Sequence, residues 1–480
     1  MQLAVELLFL VHVIPLFGLQ VRGSFRPPKE NVAATLAAAE DCSVGETLYL
    51  TPLIEAGRLD EAKFLSKVGR IGADHEVPSF AGYITVNPQF NSNLFFWFVP
   101  AMTNPEYAPV LLWLQGGPGS SSMMGLFVEH GPYRLSKDGE EVKFRKQTWA
   151  RRYSMLYVDQ PVGTGYSFTD CQSGYARDMT DVGRDMLEFL QQFFTLLGEL
   201  AQNEFYITGE SYAGKYVPTI GALLHQNADT MRARINFRGI AIGNGFTDPI
   251  NMLGYGELLY GFGLIDRISA DYMTRVANQA ADCIRAGLMR DAVVLMDRLF
   301  FSLTHEHSFY ENVTGMHYYY NLLYDTAPSD NFVYKKFVQR PELRRALHVG
   351  HQTFHTSRHV VASNFVDDLL RSARPQFNVV VEGGYKVLVY NGQLDMAMAP
   401  TQTENFLSQV AWSHAARWNR EPRTVWRSGD GRHVYGYKKT VENLSFVVVR
   451  NAGHLVPFDQ PRVSYELITA FIENKCPFAA

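Results

Sequence analysis

Gly209-Glu210-Ser211-Tyr212-Ala213-Gly214 follows the strand-like run Phe205-Tyr206-Ile207-Thr208 and leads into a segment able to start a helix. A tight strand-to-helix turn of this composition lifts a serine Oγ clear of a sheet, where it can act as a nucleophile. Ala213 stands where the second glycine of the usual pattern would be. The pattern is common by itself, so its weight depends on what accompanies it.

Two further pieces follow in chain order. Asp395 ends Tyr390-Asn391-Gly392-Gln393-Leu394-Asp395 after an apolar run, and His454 sits in Asn451-Ala452-Gly453-His454-Leu455 after the apolar run 446–449. The order Ser, Asp, His is that of the α/β-hydrolase fold and differs from the orders used by other serine-hydrolase folds. Eight short apolar or alternating runs read as strands: 82–86, 94–99, 110–114, 155–158, 205–208, 239–242, 386–390 and 446–449. The first two, separated by Asn and Pro turn residues, form an antiparallel hairpin; the continuous apolar runs suit strands buried on both faces of a mostly parallel sheet. Residues 181–197 place Val182, Met186, Phe189, Leu190 and Phe193 at helical spacing, which is the pattern of a core-facing helix. The expected fold is α/β: a mixed, mostly parallel sheet flanked by helices. Strand signals vanish over 251–375, so that block is expected to be a helical cap over the strand ends. The expected layout is a 24–79 N-terminal segment, a catalytic domain in two parts (80–250 and 376–480), and the 251–375 insertion.

Composition suits a large folded enzyme. Of 480 residues, 46% are hydrophobic and 19% charged, and the net charge of -4 carries no footprint of nucleic-acid binding. Residues 3–19 are apolar but broken by Glu6, His12 and Pro15, so 1–23 reads as a cleaved signal peptide and no membrane span is expected. Asn312-Val313-Thr314 and Asn443-Leu444-Ser445 are glycosylation acceptors. Cys42, Cys171, Cys283 and Cys476 allow two disulfides in any of three pairings. His305-Glu306-His307 lacks the i, i+4 spacing of a zinc helix and reads as a loop, so neither metal nor cofactor is expected.

Trp113-Leu114-Gln115-Gly116-Gly117-Pro118-Gly119-Ser120, Gly209 through Pro218, Ile242-Gly243-Asn244-Gly245 and Gly453-His454 with Pro457-Phe458-Asp459-Gln460-Pro461 resemble the serine carboxypeptidase family. Within it they most resemble the vitellogenic-like carboxypeptidases of animals. The resemblance implies an α/β-hydrolase fold, a glycosylated secreted or lysosomal protein, and release of C-terminal amino acids from peptides and proteins at acidic pH. It makes Gly117 and Tyr212 the donors of the oxyanion hole. It also implies that Trp113, Gln115, Glu129 and Glu210 bind the substrate's free α-carboxylate.

The chemistry of each part is independent of the resemblance. Ser211 is a weak nucleophile without a base; His454 would take its proton and Asp395 would orient the imidazole. Two neighbouring carboxyls cannot easily both ionise, so a Glu129–Glu210 pair would keep a proton and donate it to an incoming carboxylate. Acid preference follows. Gln115 stands where many family members have Asn, and Ser120 replaces a common Cys, so one disulfide near the site is lost. The same triad would also serve an acyltransferase or esterase, and the chain could instead stabilise a lysosomal partner. Retention of Glu129 and Glu210 favours the peptidase, and a homodimer is compatible with the sequence.

Overall fold

A computed structural model describes residues 44–301, 307–356 and 359–475. The expected signal peptide, Cys42, Cys476, His305 and Glu306 lie outside the described residues.

Twelve strands alternate with helices along the described chain. They are β1 (Phe80–Asn87), β2 (Ser92–Val99), β3 (Val110–Leu114), β4 (Tyr133–Leu135), β5 (Val142–Phe144), β6 (Ser154–Val158), β7 (Phe205–Glu210), β8 (Phe237–Gly243), β9 (Lys386–Gly392), β10 (Thr424–Arg427), β11 (Val434–Val441) and β12 (Leu444–Val449). Ten form one sheet in the order β1-β2-β6-β3-β7-β8-β9-β12-β11-β10, and β4 pairs with β5 apart from it. From β6 to β12 every neighbouring pair is parallel; β1, β2, β11 and β10 join antiparallel at the two edges.

The apolar runs become central strands because both faces are covered. In β3, Leu111 and Trp113 point into one core while Leu112 and Leu114 point into the other, as the two-residue period of a strand requires. One face packs on the helix Met179–Leu196, whose buried stripe includes Val182, Met186, Phe189, Leu190 and Phe193. Asp178 caps that helix, accepting bonds from the backbone N–H of Thr180 and Asp181 at 2.8 and 3.0 Å. Phe193 meets Phe96 and Phe98 edge-on at 5.8 and 5.3 Å. Cutting such a fully buried ring to alanine costs about 3–5 kcal/mol.

Two strands of the sheet were not expected. β10 buries only Trp426, and β11 only Gly436, Lys439 and Val441. So few buried positions suit an edge that solvent reaches, and the Lys439 ammonium sits 4.5 Å over the Trp418 ring.

Between β8 and β9 the described residues hold helices and no strand, among them Tyr255–Gly261, Arg267–Arg285, Met289–Met296, Phe309–Thr314, Pro341–Ala346 and Arg374–Glu382. Residues 44–79 are tied to β1 through backbone bonds from Leu50 to Tyr83 and from Ala81 to Ser66. Cys171, exposed, and Cys283, half-buried, are both free thiols, which corrects the expectation of two disulfides. They lie on separate elements, one in the loop after β6 and the other in the helix Arg267–Arg285. No helix among the described residues is long and apolar enough to cross a membrane.

Candidate active site

Ser211 sits at the C-terminal end of β7 with φ of +63°, the left-handed conformation that a sharp strand-to-helix turn imposes. Its N–H donates to Gly243 O, while its own carbonyl accepts from Gly214 and Phe246. The glycines of the motif mark close approach. A methyl group on Gly209 would meet Leu114 O at 2.6 Å and the Ala213 methyl at 2.7 Å, so Ala213 is accommodated because residue 209 has no side chain. Gly116 is held as tightly: a methyl there would lie 2.5 Å from Tyr212 N. The loop after β3 thus lies against the elbow, and Gly117, Ser211 and Tyr212 line one pocket. Neither the Gly117 N–H nor the Tyr212 N–H has a backbone acceptor among the described residues.

Asp395, in the turn after β9, and His454, after β12, meet at 2.7 Å between Oδ2 and Nδ1. Both are buried. Asp395 also accepts from Ala397 N–H at 2.8 Å and from Asn244 Nδ2 at 2.6 Å. Its acceptors are therefore filled by fixed donors, which leaves the imidazole a single orientation. The other imidazole nitrogen, Nε2, is buried with no hydrogen-bond partner among the described residues. Tyr320 stacks on the His454 ring at 4.5 Å and its carbonyl accepts the His454 N–H at 2.6 Å. Tyr320 also lines the pocket that holds Ser211, together with Tyr319, Phe246 and Met398.

Three of the four expected carboxylate-binding residues form a relay one layer deeper, while neither oxygen of the buried Glu129 carboxylate has a hydrogen-bond partner among the described residues. Trp113 Nε1 donates to Gln115 Oε1 at 3.0 Å, and Gln115 Nε2 donates to Glu210 Oε1 at 2.8 Å. The longer arm of Gln115 thus spans indole and carboxylate without leaving either end unpaired. Glu129 and Glu210 are fully buried and adjoin one another. Burial lifts Glu129 from its ordinary 4.5 to about 7, with Glu210, His454 and Arg145 easing the rise. Burial, then the neighbouring Glu129 charge, pushes Glu210 well above the usual carboxylate range. The pair therefore holds a proton where isolated carboxyls would have lost both. Neither glutamate lines the pocket that contains Ser211.

Glu129 owes its place to a π-helical turn, Gly125–Glu129, a widening of the helix seen mainly at functional sites. Gly125 lets that turn pass over Trp113; a methyl at 125 would meet the indole nitrogen at 2.3 Å. Behind it His130 stacks on Trp149 at 4.1 Å, and burial keeps its imidazole well below the usual histidine range, hence neutral.

A further buried pair abuts the elbow. Lys215, one turn into the helix Ala213–Gln226, meets Asp368 at 2.5 Å and donates to the Tyr212 hydroxyl at 3.2 Å. Burial lowers the Lys215 ammonium to about 8.

Sequence reasoning missed Asn244, Tyr320, Lys215 and Asp368. Asn244 had a signal, since it directly follows β8 in Ile242-Gly243-Asn244-Gly245 at the level of Ser211. The others had none, because their partners lie more than 130 residues away. Of the acceptor asparagines, Asn312 is exposed on the helix Phe309–Thr314. Asn443 Nδ2 instead donates to both Val381 O and Tyr385 O, at 2.8 and 2.7 Å, which occupies the nitrogen a glycan would take.

The family model described as serine carboxypeptidase matches residues 71–474. The chain belongs to the serine carboxypeptidase family. This carboxypeptidase is 43% identical over 433 residues to a venom serine carboxypeptidase of Apis mellifera, covering 90% of this chain and 92% of that one. It is 43% identical over 434 residues to the probable serine carboxypeptidase CPVL of Homo sapiens, covering 90% of each. It is 39% identical over 450 residues to the vitellogenic carboxypeptidase of Aedes aegypti, covering 93% and 94%. Its fold is similar to that of the prohormone-processing carboxypeptidase Kex1 of Saccharomyces cerevisiae, with a TM-score of 0.72 at 22% identity over 86% of this chain and 96% of that one.

Proposed function

We propose that this serine carboxypeptidase releases C-terminal amino acids through Ser211, His454 and Asp395. Ser211 Oγ attacks the last peptide carbonyl while its proton passes to His454 Nε2. The carbonyl oxygen becomes an oxyanion held by the N–H groups of Gly117 and Tyr212, each worth about 10²–10³ in turnover. Collapse expels the terminal amino acid, whose amine takes the proton from His454. Water then attacks the acyl-enzyme, giving its proton to His454, and Ser211 leaves with that proton restored. Asp395, held by Asn244 and Ala397, keeps the imidazole in the tautomer that has Nε2 free.

The observation that carries the peptidase reading over an esterase or acyltransferase is the buried Glu129–Glu210 pair joined to Gln115 and Trp113. A protonated pair donates a hydrogen bond to the substrate's α-carboxylate, and an ionised pair repels it. Activity on peptides should therefore prefer acid. The 251–375 block acts as a cap that supplies the Tyr319 and Tyr320 wall. The apolar stretch before residue 23, the exposed acceptor Asn312 and the venom relative support a secreted or lysosomal destination.

The test is hydrolysis of a blocked dipeptide, its C-terminal amide and its ester across pH 4 to 8. Efficiency on the acid should fall as pH rises through the range where Glu129, lifted to about 7, begins to ionise the pair, while the amide and ester fall much less. Identical profiles for acid and amide would reject carboxylate recognition by this pair.

A further inference from the structure

His307, Glu311 and His317 come together on the surface of the helical block, although their spacing in the chain matches no familiar metal motif. One ligating atom from each lies within 4.8 Å of the other two. His317 Nδ1 is 3.3 Å from Glu311 Oε1, and His307 Nδ1 is 3.9 Å from Glu311 Oε2. Ligands about 2.0–2.1 Å from a tetrahedral zinc ion lie roughly 3.3–3.4 Å from one another, so the His317 edge already matches and the other edges, within 4.8 Å, close by up to about 1.5 Å as the exposed imidazoles turn inward. Two imidazoles and a carboxylate are the donor types that borderline divalent cations select.

The three donors differ in mobility in the way a binding site requires. The Glu311 side chain is mostly buried and fixed, because its carboxylate closes a capping box with the Ser308 N–H at 2.7 Å. A carboxylate has capacity for further partners beyond that bond. His317 is anchored through its N–H, which donates to Asp325 O at 2.8 Å. Both imidazoles are more than half exposed, so an ion can enter and water can fill the remaining position. Buried support under one ligand with open access at the others is the arrangement by which outer contacts orient a metal site.

We propose that His307, Glu311 and His317 bind one borderline divalent cation, Zn²⁺ in the first instance. The ion would staple the start of the helix Phe309–Thr314 to the segment that continues from His317 into Tyr318, Tyr319 and Tyr320. Tyr319 and Tyr320 line the pocket around Ser211, and Tyr320 stacks on His454. Binding does not depend on the roles proposed for Ser211 and His454, and it can be measured without turnover.

The experiment is zinc titration of the purified full-length protein after chelation, at about pH 7.5. Equilibrium dialysis gives stoichiometry and affinity, and thermal melts with and without zinc give the linked stabilisation. The wild type should bind one saturable Zn²⁺ and melt several degrees higher with about 100 μM zinc. His317→Ala and His307→Ala should each weaken that site by about tenfold or more. Glu311→Gln, which keeps the capping acceptor, should do the same. The exposed histidine variants should melt at the wild-type temperature without zinc, so a loss of binding cannot be mistaken for misfolding. Absence of saturable binding in the wild type would overturn the proposal. So would an unchanged stoichiometry and affinity in His317→Ala, which would place the ion elsewhere, for instance among His454 and the buried glutamates.

Discussion

Replacing Glu129 by Gln should change how stability depends on pH. In the folded protein Glu129 titrates near 7, against 4.5 when free, chiefly because it is buried. Between those two values the folded chain keeps a proton that the unfolded chain has released. Stability is then greatest below pH 4.5 and declines as pH rises, with the loss complete once the folded group has ionised above about 7. Each pH unit across the window removes about 1.4 kcal/mol, so the total is on the order of 3 kcal/mol. That figure is the part due to Glu129; Glu210, pushed well above the usual carboxylate range, adds a decline of its own, and Glu129→Gln should remove the first part and lessen the second by leaving Glu210 one charged neighbour fewer. Urea unfolding of wild type and variant at half-unit steps from pH 4.5 to 7.5 reads the effect directly. With a slope of about 3 kcal/mol per M or more for a chain of this size, the wild-type midpoint should drift down by up to about 1 M relative to the variant. Parallel midpoints across the whole range would show that the carboxyl pair is not perturbed in this way, and the acid-preference argument would fall with it.

Ser211→Ala should reduce peptide hydrolysis to the background of about 10³–10⁴ over water that binding and the oxyanion hole alone provide. Its thermal melt should match the wild type, because Ser211 is only half-buried and the change removes a single oxygen. Asn244→Ala removes the 2.6 Å bond to Asp395 and the acceptor for Gly392 N–H; a charge-assisted bond of about 1.5–3 kcal/mol predicts a fall in kcat of roughly 10- to 100-fold with KM little changed. Asp368→Ala leaves the Lys215 ammonium buried without its counterion and should destabilise the fold by about 3–5 kcal/mol, whereas Lys215→Met with Asp368→Leu should recover most of that loss. Denaturation midpoints of the single and double variants compare the two directly.

The sequence made the central sheet legible because strands buried on both faces are written as continuous apolar runs, as in Val110-Leu111-Leu112-Trp113-Leu114. β10 and β11 escaped because one face of each meets solvent and their apolar residues come singly or in pairs between Thr, Arg, Gly and Lys. The positions of Ser211, Asp395 and His454 were legible because each follows a strand in a short, distinctive loop. Their supports were not, since Asn244 reaches Asp395 across 151 residues and Lys215 reaches Asp368 across 153. The cysteine count suggested crosslinks that Cys171 and Cys283 do not make, because an even number fixes no geometry.

The parallel order β8-β9-β12 has a consequence for how the chain comes off the ribosome. The elbow with Ser211 is made once β7 and β8 have paired, but Asp395 and His454 enter only after the long helical excursion has been synthesised. Until β9 docks, the Ile240 and Ile242 strand presents an open edge of unpaired backbone groups, which invites pairing with other chains. Contacts this distant in sequence also close slowly. A nascent or truncated chain that stops before residue 386 lacks both Asp395 and His454, so on the mechanism proposed above it would be inert while its open edge leaves it prone to aggregate.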